Sequence, residues 1–320
     1  MLRTDSGGIV SLGRKIAQGA EGAIHEVIGQ PALLAKLYLQ PATPALIAKL
    51  SAIVRLPADR RPGIAAWPTT VLHQDGTAVG FLMAKAADRH ELHVVSGNAS
   101  RRQMLPHADY RFLVLTAANL SRAFAAVHAA DHVIGDVNER GALIDGQARV
   151  TLIDVDSFQV EAAGRRHGCD VATPLYQPPE LQAVASYRGL PRTRNHDAFG
   201  LAVLIFQLLF LARHPFAGRP LAGEGPELAE AIRRLQFAWG PDARRHNLAQ
   251  PPSTLPLAAL SESLGRFFIR AFGQAGIDHG RPNAAAWARE LSRVLLVAPR
   301  TVGHAASGNL GWHGSICGVG

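Results

Sequence analysis

The sequence predicts an α+β chain of two lobes: a small antiparallel sheet with one helix, then a larger helical part, with a cleft between them. Three observations carry this. Short β-type runs crowd residues 9–82 with a single helical interruption, and sustained helical spacing dominates from about residue 109. A chain of 320 residues that is 48% hydrophobic and 18% charged has the length of about two ordinary domains and the composition of a packed one.

The β-type runs, in order, are IVSLGRKIA (9–17), GAIHEVI (22–28), ALLAKLYL (32–39), TTVLHQ (69–74) and TAVGFLM (77–83). Gly, Gln-Pro and the turn Gln74-Asp75-Gly76 separate them. The interruption, TPALIAKLSAIVRL (43–56), starts on Thr43-Pro44 and places Leu46, Leu50, Ile53 and Val54 on one face of a helix. Beyond it, apolar i, i+3, i+4 spacing predicts helices over 110–130, 198–212, 227–238, 261–272 and 284–297. A short strand at Val133–Gly135 and another at 149–153 flank a hairpin-like stretch. Three divisions follow: a first lobe over 1–83, a second over 84–298, and a Gly-rich tail or linker over 299–320.

Composition excludes several classes. Two cysteines, Cys169 and Cys317, are too few for a disulfide framework or a structural zinc site. No apolar leader opens the chain, and the longest apolar run, 198–212, falls short of the roughly 20 residues a bilayer span needs, so a cytoplasmic protein with no membrane role is expected. A net charge of +8 raises nucleic acid as a partner, yet the arginines lie in scattered pairs without interleaved aromatics. They read as a solvated basic surface, not a nucleic-acid face.

The chemistry concentrates in three places. Gly19 and Gly22 separate two strands, where glycines either form a tight turn or let backbone N–H groups approach a polyphosphate. Lys36 lies inside an apolar strand, either snorkelling from an edge or reaching a cleft, since burying it unpaired costs several kcal/mol. Asp136 and Asp154, 18 positions apart, each sit where a buried segment meets solvent. Two carboxylates on adjacent loops suit a base that orients a hydroxyl and a ligand for Mg²⁺; two unrelated turn aspartates are the plainer reading.

Taken together, these residues resemble the eukaryotic-like (Hanks-type) protein kinases over roughly residues 10–297. GDVNERG stands where that family has its catalytic loop, with Asp136 as the catalytic aspartate, and IDVDSF stands for its Asp-Phe-Gly motif, with Asp154 as the metal aspartate. ATPLYQPPE is similar to the end of an activation segment, with Thr173 as the substrate-site threonine and Glu180 as the closing glutamate. HDAFGLAVLIFQLL resembles the buried helix whose Asp197 ties the catalytic loop, and RPNAAAW the motif whose Arg281 pairs with Glu180. The resemblance implies a kinase-like bilobal fold and transfer of the γ-phosphate of ATP, with Mg²⁺ or Mn²⁺, to Ser/Thr hydroxyls of a protein substrate. Ala17, Gly19, Gly22, Ile24, Lys36 and Met83 would contact the nucleotide. Within that family the chain resembles bacterial kinases with C-terminal helix-hairpin-helix or zinc-ribbon regions, and because members of that group occur in triads with a von Willebrand-type protein and a phosphatase, the resemblance implies such partners.

Departures from the family pattern qualify what the resemblance implies. Gly141 stands where a metal-binding Asn is expected, and Asn138 where a lysine steadies the phosphate. Asn138 or Asp156 would supply the missing metal oxygen, with a slight preference for Asn138; a single metal with Asn138 bonded to its own loop is the plainer alternative. The helix at 43–56 holds no acid to partner Lys36; Ala17 replaces the first loop glycine; Gly135 replaces the arginine before the catalytic aspartate. These changes keep a second reading open, a pseudokinase that binds nucleotide as a signalling scaffold. A small-molecule phosphotransferase of the aminoglycoside or choline type shares the two aspartates but lacks the activation-segment pattern.

Overall fold

The computed structural model describes residues 1–297, and the expected tail at 299–320, with Cys317, lies outside the described residues. Its contacts group the chain into two compact units. One holds residues 1–92, 123–173 and 184–197; the other holds 93–122, 174–183 and the described residues from 198 onward. The class is α+β, an antiparallel sheet with a single helix and a mainly helical remainder.

The first unit is built on β1 (Leu2–Thr4), β2 (Ile9–Val10), β3 (Leu12–Gln18), β4 (Gly22–Val27), β5 (Leu33–Tyr38), β6 (Pro68–Gln74) and β7 (Thr77–Ala84). Their order in the sheet is β2-β1-β6-β7-β5-β4-β3, antiparallel throughout. The run 9–17, expected as one strand, is split at Ser11 into β2 and β3, which occupy opposite ends of that order. One residue can join opposite ends only if the sheet curls until its edges approach, and hydropathy cannot register such a change of partner.

Side chains alternate along β5, as a pleated strand requires. Leu34, Lys36 and Tyr38 fall on one face, and Leu33, Ala35 and Leu37 on the other. The first face shares a core with Val71, Phe81 and Met83, while the second packs with Val10, Val27, Leu72 and Leu82. The helix α1 (Pro44–Val54) covers the first face through Leu46, Ile47, Leu50 and Val54. Its start follows the sequence signal: the Thr43 hydroxyl accepts the Leu46 N–H at 3.2 Å, and Pro44 opens the first turn. Strand packing requires glycine at position 80. A Cβ on Gly80 of β7 would lie 2.0 Å from the Lys36 carbonyl oxygen of β5.

Beyond this sheet, β8 (Arg89–Glu91), β9 (Ala142–Asp145) and β10 (Val150–Leu152) form a three-stranded sheet, and β9–β10 is the hairpin expected between the two acidic clusters. The strand expected at Val133–Gly135 is reduced to one bridge, Val133 to Gln159. A second hairpin, β11 (Val160–Ala162) and β12 (Arg165–His167), turns through Ala163 and Gly164, both at positive φ; its three-residue strands are too short to show a period.

The helices are α2 (Leu92–Ser96), α3 (Asn98–Met104), α4 (Tyr110–Ala129), α5 (Arg194–Leu209), α6 (Leu228–Arg233), α7 (Glu262–Phe272), α8 (Gln274–Asp278) and α9 (Ala284–Val297). By length and composition α4 could cross a membrane, but 67% of its apolar window is buried within the protein, as in a core helix. The helix expected over 227–238 ends early at Arg233, and Leu235 turns left-handed. This bend lets Phe237 and Trp239 pack on Phe206, at ring centroid distances of 5.9 and 5.0 Å, in an aromatic core that also includes Phe268 and Phe272.

Candidate active site

Alternation on β5 points Lys36 toward the α1 face, yet α1 offers it no acid. The chain resolves this from elsewhere. Lys36 Nζ donates to Asp156 at 2.9 Å and to Asp154 at 3.2 Å. Tyr38, two residues along the same face, donates its hydroxyl to the other Asp156 oxygen at 2.9 Å. The Lys36 and Asp156 side chains are 7% and 3% exposed, so this is a buried ion pair with both carboxylate oxygens hydrogen-bonded, the form in which such a pair is tolerated. Burial by itself would lower the Lys36 pKa, but Asp156 and Asp154 outweigh it and hold the ammonium above its ordinary value. Burial, reinforced by Asp156, pushes the Tyr38 hydroxyl upward, so it stays a donor.

Asp154 has φ 55° and ψ 40°, a left-handed conformation that costs a non-glycine residue energy but that Asp tolerates better than most. It begins a short 3-10 turn over Val155–Ser157, and its carboxylate is 54% exposed while that of Asp156 is enclosed. One open and one closed carboxylate, two residues apart, are a hard-oxygen donor set. Among the described residues no group of three or more His, Cys, Asp or Glu side chains could hold a metal by itself. An oxygen site with few protein ligands suits Mg²⁺, which keeps waters and substrate phosphates as its other ligands.

Asp136 lies in the loop before β9. Its Oδ1 accepts the Thr173 hydroxyl at 2.9 Å, joining the expected catalytic and substrate-site residues. Asp197, 1% exposed, anchors this loop: Oδ2 accepts Ile134 N–H and Oδ1 accepts Gly135 N–H, both at 2.8 Å, and His128 Nε2 lies 2.8 Å from Oδ2. Gly135 has φ +75°, and a Cβ there would lie 2.7 Å from Cys169 Sγ, so packing excludes the arginine found at this place in the family.

Asn138, one of the two candidates for the metal ligand, faces its own loop. Its amide oxygen accepts Arg140 N–H at 2.9 Å and Gly141 N–H at 3.1 Å, and its nitrogen donates to the Asp136 carbonyl at 3.0 Å. Such capping is what Asn side chains do where backbone donors converge, and it uses both lone pairs of the oxygen. Asp156, the other candidate for that ligand, accepts from Lys36 and Tyr38.

The two glycines of the β3–β4 turn differ. A Cβ on Gly22 would meet the Leu37 carbonyl at 2.8 Å, so strand packing requires that glycine; a Cβ on Gly19 would meet nothing within 4 Å. Ala17 pairs with Ile24 across β3–β4, Ile24 pairs with Lys36 across β4–β5, and Met83 lies in the core beside Leu34. Glu21, between the glycines, is pushed up in pKa by partial burial and by the carboxylates of Asp156, Asp154 and Asp136, against the pull of Lys36.

Three residues had no place in the sequence reading. Tyr38 could have been found, because it shares the Lys36 face at i+2. Lys49 sits on the apolar face of α1, 6% exposed, and donates to the Gly168 carbonyl at 2.9 Å; burial pulls its pKa below the ordinary value. Arg192 donates to the Gly135 carbonyl at 2.7 Å and stacks on the Tyr187 ring. In the second unit, Arg281 and Glu180 form a two-pronged ion pair at 2.7 and 2.9 Å, with the Arg281 side chain fully enclosed.

No protein-family model matches the chain. Among curated proteins it is similar to protein kinase YegI of Escherichia coli strain K12, 39% identical over 295 residues. It is also similar to protein kinase YegI of Escherichia coli O157:H7, 38% identical over 294 residues. Each alignment covers 91% of this chain, and the chain spans 45% of the length of each relative. The likeness supports a protein kinase.

Proposed function

We propose that the chain is an ATP-dependent protein kinase that phosphorylates Ser/Thr hydroxyls of a protein substrate. The observation that carries this reading is the joining of Lys36, Asp154 and Asp156, with Asp136 accepting a threonine hydroxyl within the same unit. ATP with a divalent ion, Mg²⁺ or Mn²⁺, would supply the phosphoryl group and offset the charge that develops on it. Lys36 would turn from Asp156 to the α/β-phosphates, an ammonium donating to anionic oxygens. The half-exposed carboxylate of Asp154 would hold the metal. Asp136, already an acceptor for one hydroxyl, would orient the substrate hydroxyl and take its proton. Gly19 would admit the phosphates to the β3–β4 turn.

The rest of the reading extends from the resemblance: a cytoplasmic enzyme with lobes at 1–83 and 84–298, partnered by a von Willebrand-type protein and a phosphatase. One observation favours a pseudokinase instead. Gly141 has no side chain, and the Asn138 oxygen is already committed to the loop. Purified protein with labelled ATP and Mg²⁺ or Mn²⁺, beside an Asp136→Ala control, decides between them. Incorporation into serine or threonine that the control loses supports the kinase; ATP binding without incorporation supports the scaffold.

A further inference from the structure

We propose that the first unit has a second ligand site, a cationic cavity that takes a phosphate-bearing anion. The cavity is about 650 Å³, within the range of about 300–1,000 Å³ typical of small-molecule sites. It is walled by the segment after α1, the chain following α4, the β11–β12 hairpin and the start of α5. None of the Lys36, Asp136 or Asp154 side chains lines it. The proposal therefore stands whether or not the chain transfers phosphate.

Charge identifies the ligand class. Four arginines are among the lining residues, Arg60, Arg166, Arg192 and Arg194, against two acids, Asp131 and Glu161. The carboxylates pair at the exposed rim, Glu161 with Arg166 at 2.6 Å and Asp131 with Arg194 at 2.7 Å. Arg60 is directed at backbone carbonyls, those of Ala130 at 2.8 Å and Glu161 at 3.1 Å, and Arg192, 2% exposed, donates to that of Gly135. By composition, therefore, the lining carries four arginines against two acids. A partly desolvated cationic cavity favours an anion, and planar guanidinium groups favour the oxygens of phosphate. The positive end of the α5 dipole at the cavity adds to the same preference.

The site also adjoins the catalytic loop. Arg192 holds the carbonyl of the residue before Asp136, and Gln159, another wall residue, bonds the Arg192 backbone three residues after Asp156. An anion drawing on Arg192 would act on the loop that carries Asp136.

The phosphoryl group could belong to a free anion or to a phosphorylated side chain. Calorimetry on the full chain without metal separates them, with inorganic pyrophosphate as one probe and a phosphoserine peptide beside its unphosphorylated twin as the other. Binding of either phosphorylated probe, weakened at least tenfold in Arg166→Glu/Arg194→Glu and unchanged in Lys36→Ala, supports the site. Pyrophosphate alone then assigns it to free anions, and the phosphopeptide over its twin to a modified side chain. No binding by wild type, full affinity in the charge-reversed variant, or loss in Lys36→Ala overturns it. Should the reversed variant melt early, Arg166→Gln/Arg194→Gln gives the same comparison with no added negative charge.

Discussion

Lys36 finds its counter-charge 120 residues away, on the segment that also carries Asp154, where the family pattern would place it on α1. Removing one member of a buried pair costs about 3–5 kcal/mol, but Asp154 at 3.2 Å compensates in part. Asp156→Asn is therefore expected to lose about 2–3 kcal/mol of stability in denaturant unfolding, and Asp154→Asn, at a half-exposed site, less than ~1 kcal/mol. Because the folded-state pKa of Lys36 is raised, its contribution is complete below the ordinary lysine value and fades only as pH climbs past it. The difference between wild type and Asp156→Asn should be flat from pH 6 to about 9. Lys36→Ala should weaken ATP binding by about 10- to 100-fold in calorimetry, the worth of a charge-assisted bond. Gly141 offers a gain-of-function test. A Cβ there would meet only ordinary contacts, the nearest 3.5 Å away, so Gly141→Asn should fold normally. If the absent side chain limits metal binding, that variant gains Mn²⁺ affinity in the presence of ADP; equal affinity would show that a side chain at this position adds no metal ligand.

At the scale of elements, β5 and β7 lie so close that Gly80→Ala must push them apart. Overpacking usually costs about 1–3 kcal/mol, and a Cβ 2.0 Å from a carbonyl oxygen belongs at or above the upper end. Loss of soluble protein, or a fall in urea midpoint far beyond that of Gly19→Ala, is the expected result; similar midpoints would disprove the constraint. The other element-level bond joins the segment at 179–181 to the chain before α9 through Glu180 and Arg281. Glu180→Gln strands an enclosed guanidinium and should cost about 3–5 kcal/mol. Most of the elements were legible in the sequence. The strands β4 to β7 and the helix α1 announce themselves by period and by turn residues, and α4 and α5 by their length. The β8 strand, the β11–β12 hairpin and α8 are too short to carry a period, and the early end of α6 is imposed by aromatic packing that no local signal encodes.

Across the whole molecule, the residues that bear chemistry were easier to read than their pairings. Lys36, Asp136, Asp154 and Asp156 stand out by chemical type and context, whereas the meeting of Lys36 with Asp156 and Tyr38 is set by tertiary folding. Acid stability also depends on buried groups. Burial depresses the pKa of His214 to about 4, and the ring is fixed as the neutral tautomer, Nε2 donating to the Leu175 carbonyl and Nδ1 accepting Phe216 N–H. An unfolded histidine takes a proton near pH 6.5, so this group adds stability above that pH that is lost as pH falls toward 4, on the order of 3 kcal/mol in all. Against wild type, His214→Gln should show a shallower decline in denaturation midpoint between pH 6.5 and 4; parallel declines would exclude the ring as their source. Finally, the Lys36–Asp156 pair governs covalent reactivity as well as binding. An amine attacks an electrophile only when unprotonated, and against the pull of burial Asp156 and Asp154 hold the Lys36 ammonium above its ordinary pKa. Lysine-directed acylating reagents should therefore spare Lys36 in the resting protein, so that inhibitors built to capture this amine would first have to displace Asp156.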